Sequence, residues 1–389
     1  MPKKKKKNKR VFISDIHLMD ERSMSVQPGY NHPYNWISQD RIDLLAKFLE
    51  EEVIRKEDVK ELIILGDFLD NWVCPKDLIP ATFQQIIDSG QNEKVITNLR
   101  RIASSEVDVV VSYVPGNHDL TMEKTVMEEN FPGIRIYGDG DKKYVGVYRE
   151  EGIAGEHGNQ YNFFCAPNPD PENHNGHILP IGFFTSRFGA EKKAMEGGTP
   201  DFWDILDFYL KELYRSDPGF VKNLLLAVGK ECGLVEDSEI RMGGMDNFGE
   251  TITLREVAEL YADTMQRWNR VKPNGLSAAA AISNQLAGFR GTACTSHFIP
   301  GKARVGIFGH THDEMLLGMN INNNRMHCNT FDRNGCDYLY ANAGTWTDKY
   351  ECTFIETWIS RGTRHFVGLY EYTDNGKRKR RKQRYIYLV

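Results

Sequence analysis

The sequence predicts a layered α/β sandwich with a helical insertion, and two patterns support this fold class. In residues 1–116, apolar runs typical of strands alternate with segments of helical spacing, which gives the order β-α-β-α-β. Further strand-like runs appear after residue 300, whereas the intervening segment 178–300 has mainly helical periodicity. The chain has 389 residues, of which 40% are hydrophobic, and this is enough to bury one large core or two ordinary ones.

The first part of the chain supplies three strands and two helical segments. The strand-like runs are 10–15, 59–67 and 107–116. The last run is continuous in β-branched residues, as in a strand that is covered on both faces. The first helical segment, 40–54, brings four apolar residues onto one face: Ile42, Leu45, Leu49 and Val53. The second lies around 80–104, and together these elements predict a sheet whose strand carboxyl ends carry the chemistry.

The second part begins with the insertion and returns to strands. Three segments of the insertion have helical spacing: 201–214, 253–268 and 275–289. Thr253 and Glu256 form a capping box at the start of the second segment, and no convincing strand interrupts the region. Strands resume at three places: 303–309, 337–344 and 352–359. A terminal β-hairpin follows, because the strand-like "FVGLYEY" runs into "TDNG", a tight-turn sequence.

We therefore divide the chain into three parts. Residues 1–10 are a basic N-terminal tail, residues 11–177 and 301–389 form the α/β core, and residues 178–300 form the insertion, which could cap a site in the core. Some aromatic residues of the insertion either face a substrate or pack against one another. They are Trp203, Phe208, Tyr209 and Trp268.

Charge is unevenly distributed along the chain, whose net charge is −5. The runs 3–10 and 377–384 each hold seven basic residues and no acid, and the rest of the chain has 35 basic against 54 acidic residues, a net charge of −19. An acidic body does not fit an extended duplex-binding groove, which needs clustered Lys and Arg. We interpret the first run as a solvated tail and the second as protection of a sheet edge.

The composition gives no indication of a membrane-spanning or secreted protein. No apolar run approaches the roughly 18 residues of a membrane-spanning helix. Only "VFI" follows the lysine-rich start, so a secretory signal is not expected. The seven cysteines are odd in number, scattered and without a C-x-x-C pair. This usage favours reduced thiols and a cytoplasmic location.

Five polar blocks each follow an apolar run, where strands are expected to end. They are Asp15 with His17, Asp67 with Asp70, Asn117 with His118 and Asp119, His157 alone, and His310 with His312. Carboxylate, amide and imidazole groups are ligands of hard or borderline divalent cations. In an extended strand end, residues i and i+2 point the same way, so each Asp-x-His or His-x-His pair can converge on one site. Five such blocks at five strand ends predict a metal centre.

These blocks resemble the signature of the calcineurin-like metallophosphoesterases, which is D-x-H, G-D, G-N-H-[DE], a later His and a final G-H-x-H in that order. The resemblance covers roughly residues 10–165 and 303–347, and it implies an αββα sandwich. It further implies two metal sites. The first would be bound by Asp15, His17 and His312, and the second by Asn117, His157 and His310. Asp67 would bridge the two metals.

The resemblance leaves some roles open. The assignment of His157 as a metal ligand depends on a short motif, His-Gly after an apolar run. His174 and His177 are the alternatives for this ligand, and both lie in an irregular loop rich in Pro and Asn. We prefer His157 because "GIAGEHG" has the pattern of a strand end. Residues 340–346, "YANAGTW", resemble a segment that supports the site in many of these phosphoesterases, and we assign them no catalytic role.

The resemblance implies a catalytic role for His118, and the positions of Asp119 and Asp70 suggest roles for these two carboxylates. His118 would be the general acid that protonates the leaving group. Asp119 would either orient this imidazole and raise its pKa or cap the next helix. Asp70 is a candidate for a supporting contact to the site.

The implied function is hydrolysis of a phosphoester by a metal-bound hydroxide, with two divalent ions (Mn, Fe or Zn) as cofactors. The leading interpretation is a phosphatase or a phosphodiesterase/pyrophosphohydrolase that acts on a small molecule or a nucleotide conjugate. A DNA nuclease of the same family and a non-catalytic binding scaffold are the alternatives. The motifs do not distinguish monoesters from diesters, and they do not determine the native metals or the oligomeric state.

Overall fold

The computed structural model describes residues 7–138, 146–198, 219–321, 328–331, 335–360 and 362–387. The predicted helix at 201–214, with Trp203, Phe208 and Tyr209, lies outside these residues. Among the helices that are described, none combines the length and the apolar character that a bilayer span requires.

Strands and helices alternate as the sequence predicts. The strands are β1 Lys9–Ile13, β2 Val59–Leu65, β3 Val110–Val114, β4 Arg135–Ile136, β5 Tyr148–Glu150, β6 Ile153–Glu156, β7 Glu239–Arg241, β8 Thr251–Thr253, β9 Val305–Phe308, β10 Met315–Ile321, β11 Cys328–Phe331, β12 Tyr338–Asn342, β13 Thr353–Ser360, β14 Arg364–Tyr372 and β15 Arg378–Tyr387. The α-helices are α1 Gln39–Phe48, α2 Phe83–Ile87, α3 Glu93–Ala103, α4 Lys124–Asn130, α5 Ile181–Glu196, α6 Phe220–Glu231, α7 Leu254–Leu260, α8 Thr264–Val271, α9 Ala278–Ala287 and α10 Arg290–Ala293.

Two sheets lie at the centre of the fold. The first has the order β15-β14-β13-β1-β2-β3-β4, in which β1 to β4 are parallel and the other neighbours are antiparallel. The second has the order β11-β10-β12-β9-β6-β5, with β6, β9 and β12 parallel. Apolar side chains of both sheets form one buried cluster, which includes Phe12, Ile63 and Leu65 of the first sheet and Val305 and Ile307 of the second. The two sheets therefore pack face to face.

Helices cover the outer faces of both sheets. Helices α1 and α3 pack on the first sheet, and all four apolar residues predicted on one helical face are buried there: Ile42, Leu45, Leu49 and Val53. Residues from α10 and the adjoining turn, including Phe289 and Phe298, pack against Phe308 and Tyr340 of the second sheet. The predicted αββα sandwich is confirmed.

The N-terminal boundary differs from the prediction. Strand β1 begins at Lys9, so the last two residues of the predicted tail belong to the first sheet. Arg10 is almost fully buried because its guanidinium forms ion pairs with Glu61 at 3.1 Å and Glu151 at 2.9 Å. A paired arginine can occupy a buried strand position that a free cation cannot.

The insertion 178–300 is mainly helical but contains a short hairpin. Strands β7 and β8 form a two-stranded antiparallel sheet, so the expectation of an uninterrupted helical region was wrong at this place. The capping box of Thr253 and Glu256 is present, and the helical segment after it divides into α7 and α8. Trp268 is fully buried in the apolar cluster of the insertion, which makes it a packing residue. This cluster also contains Trp72 and Leu120 of the core, so the insertion packs directly on the core.

The C-terminal hairpin is present as predicted, and β15 is the outermost strand of the first sheet. Its basic residues make specific contacts as well as lining the edge. Arg378 stacks on Tyr370, with the guanidinium carbon 3.7 Å from the ring centre, and donates to Glu356 at 2.6 Å. Lys379 forms an ion pair with Glu371 at 3.1 Å. This basic run therefore stabilises a sheet edge.

The cysteines only partly match the prediction of reduced thiols. Cys294 is in a disulfide, so the prediction was wrong at this position. Other cysteines of the described residues carry free thiols, among them Cys74, Cys165, Cys232 and Cys352. Because disulfides persist mainly in oxidising compartments, the cysteine usage no longer supports the cytoplasmic location inferred from it.

Buried His365 in β14 predicts acid-dependent stability. Burial, together with Arg10, Lys60 and Arg304, lowers the pKa of this imidazole to about 4, although Glu151 opposes the shift. The unfolded chain would bind the proton near pH 6.5, so stability is full above that pH and is lost as the pH falls towards 4. We expect the wild type to lose about 2 kcal/mol more unfolding free energy between pH 7.5 and pH 5 than His365→Leu. Urea unfolding at both pH values measures this difference, and equal losses in the two proteins would contradict it.

Candidate metal centre

All five polar blocks meet at one edge of the sandwich. The chain turns there after β1, β2, β3, β6 and β9, where the carboxyl ends of parallel strands lie side by side. The side chains of Asp15, His17, Asp67, Asn117 and His157 are buried at this edge, and those of His310 and His312 are partly exposed. The seven predicted ligands are therefore brought together.

The first group of ligands consists of Asp15, His17 and His312. Nε2 of His312 lies 3.3 Å from Oδ1 of Asp15 and 3.2 Å from Nε2 of His17. The ligand atoms of all three residues lie within 4.8 Å of one another. This spacing leaves room for one cation that all three contact.

The second group consists of Asn117, His157 and His310. Nε2 of His157 lies 3.0 Å from Oδ1 of Asn117 and 3.2 Å from Nδ1 of His310. Asp67 lies between the two groups, because its Oδ2 is 3.2 Å from Nε2 of His157 and 3.8 Å from Nε2 of His17. The position of Asp67 is that of a bridging carboxylate.

The rival histidines lie elsewhere. Nε2 of His174 is 2.7 Å from the carbonyl oxygen of Leu260, and Nδ1 of His177 is 2.6 Å from that of Asp246. Both rings therefore connect a loop of the core to the insertion. Of the three histidines considered as the ligand of the second metal site, His157 is the one that lies beside Asp67.

The convergence depends on left-handed backbone turns and not on extended strands. Strands β1 and β9 end at Ile13 and Phe308, before the paired residues. Five of the seven residues have positive φ angles: Asp15 at 53°, His17 at 56°, Asp67 at 50°, His310 at 72° and His312 at 60°. The expectation of an alternating strand end was therefore wrong. Such backbone costs roughly 1–3 kcal/mol per residue and persists where the surrounding structure enforces it, often at functional sites.

Two glycines make the close approach possible. A Cβ atom at Gly116 would overlap the carboxylate and the backbone nitrogen of Asp67. One at Gly309 would overlap the hydroxyl of Ser14 and crowd the carboxylate of Asp15. The absence of a side chain at these positions lets the loops after β1, β2, β3 and β9 meet.

The donor atoms fit divalent cations. Nδ1 of His17 lies 2.9 Å from Oδ2 of Asp70, and Nδ1 of His157 lies 2.8 Å from the carbonyl oxygen of Leu65. A neutral imidazole keeps its proton on the nitrogen that faces an acceptor, so Nε2 of each ring presents a lone pair to the centre. His312 adds a third nitrogen at 3.2 Å from that of His17. A cation between these lone pairs removes their mutual repulsion.

The charge balance leads to the same interpretation. Burial would raise the pKa of Asp67, but His157 and His118 hold it well below its usual range. Burial would lower the pKa of His157, but Asp67 and Asp15 raise it to about 9. Two buried carboxylates therefore demand positive charge, which a proton on His157 supplies when no cation is bound. A divalent cation would supply that charge and displace the proton.

The family assignment follows from comparison with known proteins. The family model described as calcineurin-like phosphoesterase matches residues 9–216, which is more than half of the chain. The chain belongs to the calcineurin-like phosphoesterase family. Membership indicates metal-dependent hydrolysis of phosphoesters in general and leaves the substrate open. The match ends before His310 and His312, so the structure alone places these two residues in the centre.

More distant likenesses add nothing to this assignment. No curated protein sequence matches this phosphoesterase significantly. A purple acid phosphatase from seeds of yellow lupin (Lupinus luteus) is similar over 98% of this chain and 53% of its own, with 10% identity and a TM-score of 0.36. GAP50, the anchor in the inner membrane complex of Plasmodium, is similar over 97% of this chain and 89% of its own, with 9% identity and a TM-score of 0.31. This chain spans about half the length of the lupin protein.

Asp70 makes the contact to the imidazole of His118 that the sequence analysis considered for Asp119. Its Oδ2 lies 2.9 Å from Nδ1 of His118 and 2.9 Å from Nδ1 of His17, so one carboxylate contacts both rings. Asp119 instead accepts hydrogen bonds from the backbone N–H groups of Gly116 and Phe68, at 2.6 and 2.9 Å. Asp119 therefore ties together the loops after β2 and β3. It does not cap α4, whose N-cap is Glu123.

The segment 340–346 supports the centre through hydrogen bonds. Asn342 donates to the carbonyl oxygen of Gly309 at 2.8 Å, and Thr345 donates to that of Asp15 at 2.7 Å. Sequence reasoning did not identify two aromatic residues at the same edge, Trp36 and Tyr350. Neither lies in a motif, and only their tertiary positions indicate a role.

Proposed function

We propose that the protein hydrolyses phosphoesters of a small molecule or a nucleotide conjugate, with two divalent cations bound by the seven residues. The observation that supports this proposal is the pair of three-residue donor groups that share Asp67. When bound, two such cations activate a water molecule and neutralise the oxygens of the phosphoryl group. The donor set suits Mn, Fe or Zn.

The side chains would divide the work as follows. Asp15, His17 and His312 would hold one cation, and Asn117 with His157 and His310 would hold the other. Asp67 would keep the two cations close together. Asp70 fixes the tautomer of His17 because its carboxylate accepts a hydrogen bond from the Nδ1–H group of that ring.

His118 would donate a proton to the leaving oxygen. Burial opposes a charged imidazole here, but Asp70 and Asp67 raise its pKa. This shift favours the protonated ring, which is the form that an acid catalyst requires. Asp119 would hold the backbone of this loop in place through its hydrogen bonds to Gly116 and Phe68, and it would not take part in the proton transfer.

A small substrate fits better than duplex DNA. Three basic residues of β15 that could have supported DNA binding are paired with acids: Arg378 with Glu356, Lys379 with Glu371 and Arg381 with Glu351. Outside the two basic runs, the chain carries a net charge of −19, which repels a polyanion. The insertion, which packs on Trp72 next to His118, would limit the size of the substrate.

The test is a substrate panel with Mn²⁺ added. We expect nitrophenyl phosphate or bis-nitrophenyl phosphate to be hydrolysed faster than single-stranded DNA is cleaved, and which ester is faster separates phosphatase from phosphodiesterase. DNA cleavage that outruns both small esters would favour a nuclease. Metal binding without turnover of any substrate would favour the binding scaffold.

A further inference from the structure

The aromatic neighbours of His118 differ in their exposure to solvent. Three rings lie next to the imidazole: Trp72 with ring centres 4.6 Å apart, His17 at 4.6 Å and Trp36 at 5.5 Å. Trp72 and His17 are fully buried, whereas Trp36 is partly exposed. Of these three rings, Trp36 is therefore the one that a group attached to the oxygen protonated by His118 can contact from the solvent side.

The structure holds Trp36 firmly in this position. Its side chain packs on the buried cluster that contains Met19 and Tyr34. Its carbonyl oxygen accepts a hydrogen bond from the backbone N–H of Asp348 at 3.1 Å. Asp348 in turn accepts from the backbone N–H and the hydroxyl of Ser38, at 3.0 and 2.7 Å. A ring fixed in advance can stack on a ligand with little loss of entropy.

The indole ring of Trp36, unlike its backbone, is not engaged by a polar group of the described residues. Among the described residues, no hydrogen bond engages its indole N–H, and its ring also lies 5.3 Å from that of His17. A second partly exposed ring, Tyr350, lies 5.6 Å from His312. It is two residues from Asp348, so one segment positions both rings on the side of the centre formed by His17 and His312. Aromatic faces beside a charged centre suit a ligand that is planar and carries an anionic group.

We propose that Trp36 is the platform for the leaving group and that the substrate is a phosphoester whose leaving group carries a planar aromatic ring. This inference rests on the proposed function. A nucleoside and a simple aryl group share the required chemistry. Stacking on Trp36 contributes to binding of the leaving group, whereas the phosphoryl group is held at the metal centre.

The experiment compares three phosphomonoesters in the wild type and in Trp36→Ala. The substrates are a nucleoside 5′-monophosphate, phenyl phosphate and glycerol phosphate, with Mn²⁺ added. We expect the substitution to raise KM for the aromatic substrates about tenfold or more, as loss of one base–aromatic stack does, and to leave KM for glycerol phosphate unchanged. The larger of the two aromatic effects identifies the source, nucleoside or aryl. Inhibition by inorganic phosphate should not change.

Two further variants and one binding measurement make the test decisive. Trp36→Phe should restore most of the affinity, because it keeps an aromatic face. Trp358→Ala is the matched control: Trp358 is also partly exposed and stacks on Phe366 at 5.2 Å, but it pairs with Lys9 at the start of β1, away from the centre. Calorimetry on the metal-free protein measures binding of the free nucleoside or of phenol. Of the three variants, only Trp36→Ala should bind these ligands clearly more weakly than the wild type.

The outcomes separate this inference from the proposed function. An equal rise in KM for glycerol phosphate and the aromatic substrates would overturn the platform, because Trp36 would then merely support the metal centre. Hydrolysis of no phosphoester by the wild type would refute the proposed function instead. Nucleoside or phenol binding that does not depend on Trp36 would overturn the platform whatever the activity.

Discussion

Replacing His118 with Asn is expected to lower kcat for glycerol phosphate by roughly 10²- to 10⁴-fold, the usual contribution of a general acid. The effect on 4-nitrophenyl phosphate should be much smaller, since nitrophenolate leaves without protonation. Asp70 and Asp67 raise the pKa of His118 against the effect of burial, so the acid is active below that pKa. The wild type should therefore lose activity on glycerol phosphate as the pH rises through it, and His118→Asn should lack this decline.

The control for His118→Asn is a histidine outside the centre. His32 is exposed, and His32→Asn should keep full activity and metal content. Metal analysis of His118→Asn should still find two cations per chain, because the proposed ligands are intact. Unchanged activity of His118→Asn on glycerol phosphate would remove this residue from the mechanism.

Replacing Asp67 with Asn is expected to abolish the two-metal centre. Its carboxylate lies between His157 and His17, and loss of the charge removes the group that both cations would share. We expect fewer than two cations per chain and a loss of activity of roughly a thousandfold or more, since the cations contribute several kcal/mol to the transition state. Elemental analysis and steady-state kinetics measure the two effects.

Thermal stability provides an independent measure of the same change. A cation at a hundred times its dissociation constant stabilises a folded protein by about 2.7 kcal/mol. A chelator should therefore lower the Tm of the wild type clearly and that of Asp67→Asn much less. Asp246→Asn is the matched control: it removes a half-buried carboxylate that accepts from the backbone N–H groups of Ile178 and Leu179, away from the centre. This variant should be less stable but keep its metals, and a chelator effect as large in Asp67→Asn as in the wild type would contradict the bridging role.

The sequence predicted the elements that have strong local signals. Ile42, Leu45, Leu49 and Val53 have helical spacing, and all four are buried. The turn "TDNG" predicted the terminal hairpin. The sequence did not predict the three-residue strands β7 and β8, which are too short to show a period. It also did not predict that β1 begins within the basic run, because burial of Arg10 depends on ion pairs with Glu61 and Glu151, which are distant in sequence.

In the candidate site too, the sequence predicted what has a local signal and missed what depends on distant contacts. Motifs located all seven residues that the structure brings together, because each motif lies directly after a strand. They did not show which carboxylate contacts His118. Asp119 is adjacent in sequence, but its oxygens bind backbone N–H groups, and Asp70, 48 positions earlier, contacts the ring. The path of the chain through space decides such a contact.

By itself, the sequence determined the order of the main core strands and helices, the family and the chemical type of the site, because periodicity and ligand types are local properties of the chain. Only the tertiary structure decided how the ligands converge, through left-handed turns at Asp15, Asp67 and His310, and which exposed ring adjoins His118. Backbone of that kind is unfavourable for a residue in isolation. It persists here because five neighbouring strand ends confine the loops, and residue spacing does not encode this confinement.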